Sequence, residues 1–422
     1  MMDSLQNLTP ASTVPNKHKG LSAIICADWG KESRKRAVFL ADVAGRTVRR
    51  IAGEDWSVTT VLAAANHWIS RGTVLVTFDA PIGVPASFLS AVAVCQPPHR
   101  PESFLELLEW TREVPLFFES TRLAEDWRID RPFFTVPGGE GGLTSYRIAA
   151  ERLGVDHYRM IDRLTKAKTV FAKSGIPGSV GSGASALWQE LRTLLRPGRS
   201  FRVWPFEGAL DELIGSVAVV VGEIYPRAAY ATALLDVAAS ARPPLAVAKT
   251  DAMVRSAAIE ELLQARWIQR NRVRIEDADA AAGNEDDFDA CITAAALLRC
   301  VLEGLPLCPS RLDAHMAEGG ILGTGTINLE LPEQTFRPVA RPRSGRIEPT
   351  RSPAPRQTEP ASDGAPAYRC PIAGCPKRFE GSRGGWDAHV GSPRTHANWH
   401  PELASARDRK EQFRRDFPDF FL

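Results

Sequence analysis

The sequence has no segment typical of a membrane or secreted protein. Among its 422 residues, no stretch approaches the roughly 18 consecutive apolar residues of a membrane span. Residues 1–20 are polar and lack the basic-then-apolar order of a secretory signal. We therefore expect a cytoplasmic protein without membrane contact, whose N-terminal residues 1–20 form a disordered tail.

Cysteine is scarce and scattered. Five of the seven cysteines lie within or beside apolar segments, where a free thiol packs as a small apolar side chain: Cys26, Cys95, Cys291, Cys300 and Cys308. The other two form a close pair near the C terminus. A disulfide framework is not expected in a chain of this size and context.

Neither sign of charge is in excess. The chain has 52 basic and 50 acidic residues, a formal net charge of +2, which does not by itself indicate a class of partner. The hydrophobic content of 44% and the charged content of 24% are ordinary for a globular protein. The length allows two or three domains with a sizeable core.

Acidic residues stand where predicted strands end. Short apolar runs rich in β-branched residues, which predict buried strands, end at Asp28, Asp79 and Glu223. Asp286 and Asp289 are three residues apart at the start of a predicted helix, so they lie on one helical face. Each acid alone is typical of a solvated strand end or a stabilised helix N terminus. Carboxylates that lie close together repel one another, and a bound divalent cation is the usual compensation for that repulsion.

The order of predicted elements indicates an α/β fold. Three strands, of which the last two form a hairpin, precede a helix and a fourth strand; their predicted ranges are 23–29, 36–42, 47–51, 57–71 and 74–79. Residues 86–200 are mostly helical in pattern and form an insertion. Strands at 201–204 and 216–224 and helices at 227–240, 250–269 and 285–303 follow. Asp287 points away from the Asp286–Asp289 face and is expected to cap or support the last helix.

Four segments, 27–30, 78–85, 222–226 and 286–290, resemble a family of predicted RNase H-like nucleases that is itself classed as a domain of unknown function. The most specific are Asp79-Ala80-Pro81-Ile82-Gly83 and Asp286-Asp287-Phe288-Asp289-Ala290, and the second is also similar to the final helix of Holliday-junction resolvases. The resemblance covers roughly residues 23–323. It implies an RNase H-like fold, with a mixed five-stranded sheet flanked by helices and a large helical insertion. It also implies a metal-dependent nuclease-type site built on Asp28, Asp79, Glu223, Asp286 and Asp289.

These five acids are candidate ligands for Mg²⁺ or Mn²⁺, because such hard cations take oxygen donors. Two ions about 3.5–4 Å apart activate a water and stabilise the leaving oxygen in phosphodiester hydrolysis. We therefore expect a two-metal-ion nuclease that acts on DNA or RNA.

The C-terminal part has a different composition. Residues 336–366 are rich in proline and arginine and poor in large apolar residues, which predicts a disordered linker. Beyond it, Cys370, Cys375, His389 and His396 have a spacing close to that of a two-cysteine, two-histidine zinc finger, with His400 as a rival fourth ligand. The predicted domains are thus a catalytic domain over 21–335, the linker, and a zinc module with an aromatic tail over 367–422. Nucleic acid and a protein are both candidate partners of this module.

Two other functions stay open. A non-catalytic adaptor for nucleic acid or protein would keep the fold but have no working metal site. An actin-like phosphotransferase would use Asp28-x-Gly30 as a phosphate loop and Gly319-Gly320 as a nucleotide turn, but it needs a duplicated core, and one copy is found. The glycine-rich segment 173–183 lacks Walker spacing, and it is either a plain helix-entry loop or a loop near phosphates.

Overall fold

A computed structural model describes residues 18–136, 140–176, 178–308 and 317–338. Of the C-terminal part, it describes residues 367–372, 375, 378–380, 389–390, 396, 399–400, 402 and 405–418. The predicted N-terminal tail up to residue 17, the predicted linker from residue 339 to 366 and the aromatic end 419–422 lie outside the described residues. The chain divides into two compact units, Met1–Ala340 and Arg341–Leu422.

The first unit has twelve strands among its described residues. In chain order the strands are β1 (Leu21–Asp28), β2 (Ala37–Asp42), β3 (Thr47–Arg50), β4 (Thr73–Phe78), β5 (Phe134–Thr135), β6 (Ala172–Ser174), β7 (Phe201–Val203), β8 (Val219–Ile224), β9 (Leu245–Ala246), β10 (Arg274–Ile275), β11 (Ile321–Leu322) and β12 (Gln334–Thr335).

Eight of these strands form one mixed sheet of order β10-β3-β2-β1-β4-β8-β11, with β7 also beside β8. β1, β2 and β3 are antiparallel neighbours, whereas β1, β4 and β8 run parallel. The predicted α/β class with a mixed sheet is confirmed, but the predicted number of five strands is wrong. β7 lies within the predicted strand 201–204. The strands that were not predicted, β10 and β11, have only two residues each, too few to establish a periodic pattern.

Helices cover both faces of the sheet. In chain order they are α1 (Val58–Ala65), α2 (Ala86–Cys95), α3 (Phe104–Trp110), α4 (Glu140–Glu151), α5 (Met160–Thr165), α6 (Gly181–Leu194), α7 (Leu210–Leu213), α8 (Pro226–Leu234), α9 (Ala252–Gln264), α10 (Arg266–Asn271), α11 (Ala278–Gly283) and α12 (Glu285–Glu303). No helix among the described residues has the length and apolar character needed to cross a membrane.

The two sheet faces bury separate cores, because successive strand residues point to opposite sides. On β1, Ile25 and Ala27 belong to a core shared with α1, α2, α3 and α6. Ile24 and Cys26 belong to the other core, which contains α8, α9 and α12. The insertion helices and the C-terminal helices of this unit therefore pack on opposite faces.

α12 begins and ends where the sequence predicts. The Asn284 side chain caps it by accepting hydrogen bonds from the backbone N–H groups of Asp286 and Asp287. Gly304, with φ 64°, ends it in the left-handed conformation that glycine adopts readily. All residues from Asp287 to Val301 are buried, so the helix is fixed along most of its length.

Three other predicted helices differ from the structure, and one of them, 227–240, ends already at Leu234 as α8. The Ser57 hydroxyl caps α1 as predicted, by accepting a hydrogen bond from Thr60 N–H, but the helix ends at Ala65 and turns occupy the rest of the predicted range. The predicted helix 250–269 is broken at Ala265, whose ψ of 136° is not helical. Ala265 is buried among apolar side chains, and its side chain gives no sequence signal for a break.

The second unit contains a short antiparallel pair and a helix. These are β13 (Ala367–Arg369), β14 (Arg378–Glu380) and α13 (Ala406–Asp416). Among its described residues, Ile372, Val390 and Phe413 form an apolar core together with Cys370. Arg409 is buried beside this core and donates hydrogen bonds to the carbonyls of Val390 and His396.

Candidate metal centres and the adjoining cleft

Three carboxylates meet at one edge of the sheet. Asp28 is the last residue of β1, Asp79 directly follows β4, and Asp289 is in the second turn of α12. One ligand oxygen from each lies within 4.8 Å of the other two. β1 and β4 are parallel neighbours, and Asp79 N–H donates to the Ala27 carbonyl at 2.9 Å, so the two strand ends coincide. α12 packs across this face and contributes the third carboxylate.

Burial and mutual repulsion oppose ionisation of this cluster. Desolvation and the neighbouring carboxylates of Asp79 and Asp289 raise the pKa of Asp28 well above its ordinary value. Desolvation and the charge of Asp289 raise the pKa of Asp79 to about 7. Burial also raises the pKa of Asp289, although a lysine and a tyrosine oppose that effect. A divalent cation among the three oxygens would offset both desolvation and repulsion.

That lysine and tyrosine are Lys249 and Tyr230, and the sequence did not single them out. Tyr230 Oη donates to Asp289 Oδ1 at 2.5 Å, and Lys249 Nζ donates to Asp289 Oδ2. Burial alone would lower the pKa of Lys249, but the carboxylates outweigh it and raise that pKa. Both oxygens of Asp289 are therefore engaged.

Glu223 was expected beside these acids, but its carboxylate lies elsewhere. It accepts hydrogen bonds from Arg159 at 2.6 and 2.7 Å and from Ile82 N–H at 2.6 Å. Arg159 also contacts Asp162, and all three side chains are buried. Desolvation raises the pKa of Glu223, against the opposing effect of Arg159. Among the described residues, Glu223 is therefore not part of the three-acid cluster.

Asp286 and Asp287 occupy different environments at the start of α12. Asp286 is half-buried, and its charge contributes to the raised pKa values of Asp28 and Asp289, but the described three-acid cluster does not include it. Asp287 is buried and accepts a hydrogen bond from Arg50 Nε at 2.7 Å. Asp286 thus lies near the cluster, while Asp287 joins α12 to β3.

A cleft of about 610 Å³ opens beside Asp79 and Asp289. Its remaining lining includes Trp29, Lys31, Lys249 and the segment from Gly178 to Gly183. This glycine-rich segment contains the first residues of α6. A Cβ atom on Gly183 would lie 2.6 Å from the Trp29 carbonyl oxygen, so glycine permits the close approach of α6 to the end of β1.

The second candidate metal centre is in the C-terminal unit. Cys370, Cys375, His389 and His396 each offer a ligand atom, all within 4.8 Å of one another. Two thiols and two imidazoles are a typical donor set for tetrahedral zinc, so the four residues could hold such a metal. His400, the predicted rival, instead contacts Glu402 through Nδ1 and Asp416 through Nε2. His396 is thus the fourth member of the cluster.

Sequence patterns gave no usable signal for Lys249, Tyr230 and Arg159. Lys249 lies in the loop between β9 and α9, and a lysine at such a position is most often solvated. Tyr230 occupies a buried helix position and is not distinguished there from a core aromatic residue. Arg159 offers only an i,i+3 relation to Asp162.

Comparisons of the chain with protein-family models, curated proteins and solved structures found no match. A function must therefore be inferred from the chemistry of the two donor clusters.

Proposed function

We propose that the protein is a metal-dependent nuclease that hydrolyses phosphodiester bonds of DNA or RNA at the cluster of Asp28, Asp79 and Asp289. One observation carries the proposal: three carboxylates from three different elements converge within 4.8 Å beside an open cleft. An all-oxygen donor set suits Mg²⁺ or Mn²⁺ rather than zinc.

The topology supports an RNase H-like catalytic domain. Antiparallel β3, β2 and β1 are followed across the sheet by β4 and β8, both parallel to β1. This arrangement agrees with the fold implied by the sequence resemblance. The proposed ligands stand at the ends of β1 and β4 and on the long helix α12 that packs across them.

The residues around the cluster would have different roles at the metal site. Asp28 and Asp79 would hold the ion from the ends of β1 and β4, while buried Asp289 would hold it from α12. Tyr230 orients Asp289 through its short hydrogen bond. Half-buried Asp286, whose charge acts on Asp28 and Asp289, is a further candidate ligand for a second ion. A bound divalent ion would lower the pKa of a coordinated water and offset charge on the phosphate.

Glu223 would act indirectly in this proposal. Its buried pair with Arg159 holds the segment before α5 against the end of β8. The pair is satisfied by good hydrogen bonds, which is the condition under which a buried pair is tolerated. Whether Glu223 also serves as a ligand, as the sequence predicts, is tested by substitution.

The C-terminal unit would bind zinc through Cys370, Cys375, His389 and His396 and direct the catalytic domain to its substrate. A module as small as residues 367–422 gains most of its folding free energy from the metal. Contact with nucleic acid or with a partner protein would both serve this role, and the sequence predicts both.

The experiment is incubation of the full-length protein with labelled single- and double-stranded DNA and RNA in Mg²⁺, Mn²⁺ or EDTA. We expect cleavage of at least one substrate with metal and none in EDTA. Absence of cleavage together with absence of Mn²⁺ binding in calorimetry would refute the proposal. ATP hydrolysis without nucleic-acid cleavage would support the phosphotransferase instead.

A further inference from the structure

We infer that Lys249 is an internal counter-cation, which a divalent ion displaces from Asp289 when the carboxylate cluster binds metal. This inference rests on the proposed function, because it concerns the same carboxylates. It assigns Lys249 a role in metal binding that the sequence did not indicate.

Asp289 has no free carboxylate oxygen in the structure. Tyr230 Oη donates to Oδ1 at 2.5 Å, and Lys249 Nζ donates to Oδ2. The Tyr230 side chain is held inside the core between α8 and α12, and the tyrosine is 4% exposed. The Lys249 side chain is 37% exposed and lines the cleft. Of the two partners, Lys249 is the one that can leave.

The backbone of Lys249 is held by a hydrogen bond that does not depend on its side chain. Buried Arg255 donates to the Lys249 carbonyl at 2.5 Å, and to the carbonyls of Ala282 and Gly283 at 3.0 and 3.1 Å. Arg255 therefore ties the Lys249 backbone to the residues that lead into α12. The flexible four-carbon stem of lysine allows its ammonium to move between Asp289 and the cleft without a change in the loop.

Charge explains why the ammonium and the ion exclude each other. A divalent cation bound to Asp289 would lie close to the ammonium, and like charges at a few ångströms repel strongly in a partly buried site. Without a metal, the ammonium offsets part of the repulsion among Asp28, Asp79 and Asp289. With a metal, the ion does so, and the ammonium is released into the cleft that would receive a phosphodiester backbone.

The exchange predicts a coupling between metal and substrate. A nucleic acid in the cleft would attract the released ammonium, so nucleic acid and metal should each strengthen the binding of the other. Removal of Lys249 should abolish this part of the coupling.

The test is calorimetric titration of Mn²⁺ into the full-length, zinc-loaded wild type and the variants Lys249→Met, Lys31→Met and Asp289→Asn. We expect Lys249→Met to bind Mn²⁺ about tenfold more tightly or better, because the ion no longer competes with the ammonium. Lys31→Met removes the same charge from the same cleft, but in the part of the chain that the structure describes Lys31 forms no ion pair with Asp289. The Mn²⁺ affinity of this variant should therefore change much less. Asp289→Asn should lose the binding.

Thermal melting adds a measurement independent of activity. Lys249→Met should melt below the wild type in EDTA and should gain more than the wild type from saturating Mn²⁺. A lysine that merely stabilises the fold would lower the melting temperature equally with and without Mn²⁺, which would overturn the inference. Unchanged or weaker Mn²⁺ binding by Lys249→Met, with binding lost in Asp289→Asn, would overturn the inference alone. Wild-type binding that survives Asp289→Asn would overturn both the inference and the proposed metal site.

Discussion

Glu223 and Asp79 are offset by one residue in the parallel pairing of β8 with β4. In the register of β4 and β8, Glu223 pairs with Phe78, the residue before Asp79. Because side chains alternate between faces, the two carboxylates lie on opposite sides of the sheet. Asp79 joins Asp28 and Asp289 on the α12 side, whereas Glu223 joins Arg159. The same strand-end acid pattern thus yields a candidate cation site on one face and a buried ion pair on the other.

Asp28→Asn should abolish phosphodiester cleavage and leave the fold intact. Asparagine keeps the shape and one oxygen, but it removes the charge that would offset the ion. In EDTA the melting temperature should be unchanged or higher, because repulsion with Asp79 and Asp289 is relieved. Cleavage and melting assays check both results, with Asp211→Asn, a change at an exposed acid, as the control. Full activity of the Asp28 variant would mean that this cluster is not the catalytic centre.

Arg159→Met should destabilise the protein by about 3–5 kcal/mol, because it leaves Glu223 and Asp162 buried without their cation. Denaturant unfolding measures this effect. Glu223→Gln separates the two roles of the glutamate: Mn²⁺ affinity should stay within about twofold of the wild type if Arg159 is its partner in the working protein. A large loss of Mn²⁺ affinity in Glu223→Gln, with stability retained, would instead establish it as a ligand.

Metal-free stability should fall as the pH rises from about 4 towards 7. The pKa of Asp79 is about 7 in the fold and 3.8 ordinarily, so in this range the folded state binds the extra proton. The slope from this one group is at most about 1.4 kcal/mol per pH unit. Melting in EDTA across this range measures it, and Asp79→Asn should flatten the dependence. With saturating Mn²⁺ the trend should reverse, since protons then compete with the ion; an identical profile in Asp79→Asn would contradict this assignment.

The full-length protein should contain one tightly bound zinc ion, lost in Cys375→Ala. His396→Ala should weaken zinc binding more than His400→Ala, because His396 lies within the donor cluster and His400 contacts two carboxylates instead. Metal analysis after dialysis against a mild chelator provides the measurement. Zinc retained in Cys375→Ala, or equal losses in both histidine variants, would contradict the ligand assignment.

Gly183→Ala should reduce cleavage more than it reduces Mn²⁺ affinity. The new Cβ would lie 2.6 Å from the Trp29 carbonyl oxygen, so the start of α6 must shift away from the end of β1. Overpacking of this kind costs about 1–3 kcal/mol. Gly30→Ala is the control for stability, because a Cβ there meets nothing within 4 Å. Equal melting temperatures of the two variants would show that the close approach is not required.

The sequence predicted the parts of the fold that have long and regular patterns. β1, β4, β8 and α12 were predicted at or near their observed positions, since apolar runs and a capped helix give clear signals. The two-residue strands β10 and β11 do not. The direction of Glu223 depends on the register between β4 and β8, which each strand's own pattern leaves open.

The candidate site, like the fold, was predicted only in part. Asp28, Asp79 and Asp289 could be predicted because each ends or begins a recognisable element. Lys249 reaches Asp289 across 40 residues of sequence, and Tyr230 reaches it across 59. Such contacts arise from the packing of β9, α8 and α12, and no local pattern encodes them.

The segment Gly178–Gly183 forms one wall of the cleft, and its place in the fold has an evolutionary consequence. The carboxylates belong to the sheet and to α12, whereas this wall of the cleft belongs to the insertion on the opposite face. Mutations that lengthen, shorten or recharge the insertion can therefore alter which molecules enter the cleft without displacing the acids. Selection can act on substrate preference and on chemistry separately, and relatives of this chain should diverge in the insertion sooner than at Asp28, Asp79 and Asp289.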